Sequence, residues 1–156
     1  MKNFIEGYVN ALTSEECAKI ISFMNEEGRL GPGRVKEPNT GKDIVMKEYK
    51  DSSDVRMDMR EENEINKIIL PSIKKCISLY TKKHPQMNNI DYWELDYIYN
   101  LQKYNPGQCF ASSHCENASI VTSHRVLAWM YYLNTVKDGG GTPVSYTHLT
   151  LPTTSS

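Results

Sequence analysis

Apolar residues near the start of the chain recur at helical spacing. Over residues 12–27, Cys17, Ile20, Ile21 and Met24 fall at i, i+3, i+4 and i+7 and form one apolar stripe. Thr13 and Glu16 have the spacing of a capping box, and Gly28 stands where a left-handed C-terminal stop is expected. Residues 61–82 predict a second helix, with Ile65, Ile68, Ile69, Ile73, Cys76, Ile77 and Tyr80 in register. Pro71 predicts a break or a restart there, because proline has no N–H and its ring crowds the preceding turn. Both helices read as supports for a core.

From Asp91 the period falls to two. Trp93, Leu95, Tyr97, Tyr99 and Leu101 share one face of a predicted strand, and Glu94, Asp96, Ile98, Asn100 and Gln102 share the other. Asn105-Pro106-Gly107 is a turn signal. Residues 126–133, VLAWMYYL, are nearly all apolar and predict a strand buried on both faces. Residues 137–141 end in three glycines and predict a tight turn with positive φ. Residues 29–40 read as a surface loop, and Lys50-Asp51-Ser52-Ser53-Asp54 as a turn. Helices first and strands after predict an α+β fold, an antiparallel sheet or barrel buttressed by N-terminal helices.

Composition narrows the class. A chain of 156 residues suits one domain, and 39% hydrophobic with 24% charged residues is ordinary for a globular protein. A net charge of -1 offers no basic field for nucleic acid, and the scattered lysines read as solvated surface. The start of the chain lacks an apolar signal-peptide core, and no run approaches the roughly 20 apolar residues that span a bilayer. The cysteines Cys17, Cys76, Cys109 and Cys115 are far apart without a CxxC pair. They are expected to be reduced thiols in a cytoplasmic setting, not a zinc site. His84, in a polar loop beside Pro85, reads as a surface residue.

His114-Cys115-Glu116 is the candidate chemistry. Residues two apart on an extended chain project to one side, so His114 and Glu116 offer an imidazole nitrogen and a carboxylate oxygen to one ion. That is two-thirds of the 2-His-1-carboxylate triad of non-haem Fe(II) oxygenases.

These residues stand among others that carry a resemblance. Tyr104-Asn105-Pro106-Gly107-Gln108 leads to Phe110 and then His114-Cys115-Glu116. Arg125 to Asn134 reads Arg-x-Leu…Tyr-Leu-Asn, and Gly139-Gly140-Gly141-Thr142 closes the set. With the opening helix residues Leu12, Glu15, Glu16 and Cys17, the chain over about residues 5–142 resembles the prolyl 4-hydroxylase-like branch of the Fe(II)/2-oxoglutarate-dependent oxygenases.

The resemblance implies a double-stranded β-helix, or jelly roll, with supporting N-terminal helices, incomplete at its C-terminal end. It implies Fe(II) held by His114 and Glu116, and 2-oxoglutarate beside Tyr104 and Tyr132. Arg125 matches a residue near the substrate mouth, where a surface salt bridge is an equal alternative. The expected reaction is hydroxylation of a peptidyl-proline or small-molecule C–H bond with O2, ascorbate being an optional third cofactor. Glu116 stands where the family more often has Asp.

The larger departure follows Thr142. The family continues to a distal His and a Lys or Arg for 2-oxoglutarate, whereas residues 143–156 look like a non-native tail, 144–153 resembling translated sequencing adapter. His148 is therefore set aside as a ligand, and the chain as it stands is expected to be inactive and poorly soluble, with an open sheet edge. Two other readings compete: a non-enzymatic jelly-roll or cupin-like binding module, and a cupin-type metalloprotein running a different reaction.

Overall fold

Helix α1 (Ser14–Met24) starts where its capping box places it. The Glu16 N–H donates to Thr13 Oγ1 at 3.2 Å, and the Thr13 N–H donates to Glu16 Oε2 at 2.8 Å. The stripe turns Ile20 and Met24 into the core, but the helix ends before the expected stop: Asn25 is its C-cap, and Gly28, at φ +79°, lies in the turn beyond. A computed structural model describes residues 4–37, 40–117, 119–120 and 122–144.

Helix α2 (Glu64–Lys83) is capped by Asn63, whose side-chain oxygen accepts from the Asn66 N–H at 2.8 Å. It runs unbroken through Pro71, against the predicted break. Pro71 is exposed, so its ring and missing N–H fall on the solvent side, where a helix bends most easily. Ile65, Ile69 and Ile73 hold the opposite side in the core at 2% exposure each, which offsets a proline cost of about 3 kcal/mol.

Strand β4 (Ser53–Asp58) is the centre of a three-stranded antiparallel sheet, between β1 (Gly31–Pro32) and β5 (Ile98–Lys103). Val55 pairs with Leu101 and Met57 with Tyr99, which points all four side chains at α1 and α2. The predicted turn at residues 50–54 is thus partly the start of the central strand, with Lys50 and Ser52 buried. The predicted loop at 29–40 contributes β1 and also β2 (Val35–Lys36), which pairs with β3 (Asp43–Ile44) in a separate two-stranded ladder. The period-two segment forms a strand only from Ile98 onward; there Tyr99 and Leu101 are buried and Asn100 and Gln102 exposed, but Tyr97 is exposed as well.

Two further expectations are corrected. Residues 126–133 join no ladder, and alternation along them puts Leu127, Tyr131 and Leu133 inward but Val126, Met130 and Tyr132 in solvent. The run is covered on one side, because no described strand lies over the other. His84 is buried, not on the surface: its Nε2 stands 2.9 Å from Glu6 Oε1, and its ring packs on Tyr80. With the Tyr80 hydroxyl donating to the Phe4 carbonyl at 3.0 Å, this pair ties the start of the described chain to the end of α2.

The architecture is mixed α+β: two α-helices on one face of an antiparallel sheet that does not close into a barrel. Asn66 joins the layers, donating to the carbonyls of Asp58 and Glu61 and accepting from the Tyr99 hydroxyl at 2.8 Å. Burial pushes that phenol up to about 12. Among the described residues no helix is long and apolar enough to cross a membrane.

Candidate metal centre

The chain reaches the centre through a turn the sequence specifies. Gly107 adopts φ +84°, which favours glycine, and the Gln108 N–H donates to the Asn105 carbonyl at 2.9 Å. The next residues pair with the segment before β4. Lys50 and Phe110 form an antiparallel bridge, the Asp51 N–H donates to the Cys109 carbonyl at 2.9 Å, and the Ala111 N–H donates to the Tyr49 carbonyl at 2.8 Å.

This anchoring aims His114. Its ring stacks on Phe110 at 4.4 Å between centroids, 18° from parallel. Its Nδ1 lies 3.0 Å from the Ser112 carbonyl. A carbonyl only accepts, so Nδ1 carries a hydrogen, and in a neutral ring the lone pair is then on Nε2. That Nε2 stands 3.6 Å from Glu116 Oε1. With the lone pair on Nε2, the two facing atoms would both be matched by a cation between them.

Arg125 occupies the other carboxylate oxygen. Its Nη1 lies 3.2 Å from Glu116 Oε2 and its Nη2 2.8 Å from Asp96 Oδ2. Partial burial pushes the Asp96 carboxyl up, but the bonds from Arg125 and the Ile98 N–H, with the nearby His124, hold it below the usual carboxylate range. Arg125 is therefore committed to two carboxylates, the salt-bridge alternative of the sequence reading, and Glu116 keeps Oε1 free.

The pair fits a metal ion by this geometry. With ligand bonds of about 2.1 Å, donors on one ion stand about 3.0 Å apart at a right angle and about 3.4 Å at a tetrahedral one. A separation of 3.6 Å closes to either by a small rotation of Glu116, whose side chain is 49% exposed. Among the described residues no group of three or more His, Cys, Asp or Glu could hold an ion, so the pair has no described third protein ligand. His148 and the rest of residues 145–156 lie outside the described residues.

Tyr104 and Tyr132 are not joined to the pair by any described hydrogen bond or ring contact. The Tyr132 hydroxyl donates to Thr142 Oγ1 at 2.8 Å, which links the Tyr-Leu-Asn run to the glycine turn, where Gly139 and Gly140 have φ of +76° and +70°. The Tyr104 hydroxyl bonds Gln102 at 3.3 Å; burial and the nearby Asp54 raise its phenol, against a hydrogen bond with Ser52. The sequence reading did not single out Phe110, the Ser112 carbonyl or Asp96 as supports of the centre. Phe110 was legible as part of the motif, but the Asp96–Arg125 contact spans 29 residues and has no local signal. Comparison with protein-family models, with curated proteins and with solved structures finds no match to this chain.

Proposed function

We propose that the chain carries the iron-binding half of an Fe(II)- and 2-oxoglutarate-dependent oxygenase of the prolyl 4-hydroxylase-like branch, on an incomplete jelly-roll frame. The observation that carries this reading is the facing pair, His114 Nε2 and Glu116 Oε1 at 3.6 Å, each with its other polar atom already bonded. The ordered motifs at 104–116, 125–134 and 139–142 support it. An α+β chain with two helices packed on an antiparallel sheet is compatible with it.

In this reading His114 and Glu116 hold the metal. Bound Fe(II), with 2-oxoglutarate and O2, supplies the oxidising power for hydroxylating a prolyl or related C–H bond. The protein supplies placement. The Ser112 carbonyl keeps the proton on Nδ1, so Nε2 stays a donor. Arg125 holds Oε2 of Glu116 and so keeps the carboxylate turned. Tyr104 and Tyr132, both exposed, would donate to a 2-oxoglutarate carboxylate by giving up their bonds to the neutral partners Gln102 and Thr142.

A second reading is favoured by exposure: His114 is 46% and Glu116 49% exposed, and the described residues add no third ligand. By itself the chain then acts as a non-enzymatic, jelly-roll or cupin-like metal-binding module. Anaerobic addition of Fe(II) and then 2-oxoglutarate separates the two. The oxygenase reading expects a weak visible charge-transfer band that His114→Ala removes. Metal uptake with no band on adding 2-oxoglutarate selects the binding module, and folded protein that takes up no metal refutes both.

A further inference from the structure

Lys50 is the one lysine among the described residues classed as buried, at 3% exposure. Its Nζ lies 2.6 Å from Asp54 Oδ2, and Ser52 Oγ donates to Asp54 Oδ1 at 2.8 Å, so both carboxylate oxygens are engaged. Gly33, the residue after β1, closes the cluster: its N–H donates to the Ser52 carbonyl at 2.8 Å, and a Cβ there would meet Ser52 Oγ at 2.2 Å. Burying an ammonium and a carboxylate costs each its hydration, and an apolar pair of similar volume stabilises a fold as well or better. Stability alone is therefore a weak account of this pair.

What the pair does hold is Phe110. The Lys50 backbone bridges Phe110, and Nζ lies 5.5 Å from the centroid of the Phe110 ring, within cation–π range. The same ring carries the His114 imidazole at 4.4 Å. One line of contacts thus runs from Asp54 through Lys50 and Phe110 to His114.

We propose that Lys50 is a positioning residue for the metal centre: its ammonium, fixed by Asp54, holds the Phe110 ring against His114 so that Nε2 faces Glu116. The proposal rests on the reading of His114 and Glu116 as a metal pair. Imidazole ligands are commonly oriented by groups that never touch the ion, and losing such a group typically weakens metal affinity by about tenfold or more.

The test uses the full chain with Lys50→Met and Asp54→Leu together, which removes both charges and leaves neither buried alone. In metal-free protein, nuclear Overhauser contacts between the Phe110 and His114 rings report the positioning directly. Co(II) titration reports its consequence. The double variant is expected to keep the wild-type far-ultraviolet circular dichroism, lose the ring contacts and bind Co(II) about tenfold more weakly. Should it fail to fold, Asp54→Asn, which preserves size, is expected to weaken the same ring contacts. Ring contacts that persist in the folded variant overturn the proposal, as does unchanged Co(II) affinity. A wild-type chain that binds no Co(II) but loses the ring contacts in the variant sinks the metal reading and leaves the positioning standing.

Discussion

Asp58 shows how much one side chain sets. Its carboxylate is clasped by Arg60, with Nε at 2.9 Å and the Arg60 N–H also at 2.9 Å. Those bonds lower it from 3.8 to about 2. A folded-state value below the unfolded one means stability that is present above about pH 4 and is lost as pH falls towards 2. The melting temperature of Asp58→Asn should therefore lie below wild type by a constant amount from pH 7 to about 4, and the gap should shrink towards pH 2. A gap that stays constant to pH 2 would contradict this. Glu6, held low by Lys83 and then His84, adds to the acid limb of both proteins. The sequence hides such residues unevenly. Asp58 and Arg60 are near neighbours, whereas the partner that buries His84 is 78 residues away, so nothing local marks it as a core histidine. Lys50 looks like any solvated lysine until β4 and the 109–112 segment close around it.

At the scale of elements, α2 is the test of how packing overrides propensity. Pro71 removes a hydrogen bond from the helix interior, yet the helix continues because Ile65, Ile69 and Ile73 are buried on either side of it. Pro71→Ala should raise stability by about 2 kcal/mol, read as a higher urea midpoint at unchanged slope. A lower midpoint would contradict this. Both helices were legible because their apolar spacing agrees with their burial, and α1 also through its capping box. Strand β4 was not, since only Val55 and Met57 mark its buried face and the turn-like residues Asp51 to Ser53 precede them. Residues 126–133 were misjudged for a different reason: an apolar run does not say whether one face or both will find cover.

At the scale of the molecule, that run leaves apolar surface open. Val126, Met130, Tyr132 and Val136 are 47%, 57%, 63% and 53% exposed, and residues 126–133 join no described strand. Surface of this kind drives association. Light scattering should show mass rising with concentration, and Met130→Lys with Tyr132→Lys should suppress the rise; a monomer at every concentration would contradict it. The mixture of helices and antiparallel strands was legible, but not their order: β1 to β4 lie between the two helices, where the sequence shows loop and turn residues. The jelly roll that the resemblance implies is not formed by the described strands, whose sheets of three and two strands do not close. The account turns on whether His114 and Glu116 grip one ion. Titration of the folded chain with Co(II), followed by visible absorption, measures that directly. The account predicts saturation at a single ion per chain, with His114→Ala and Glu116→Ala each weakening binding by at least tenfold. Identical binding curves for all three proteins, or no binding by the wild type, would contradict it.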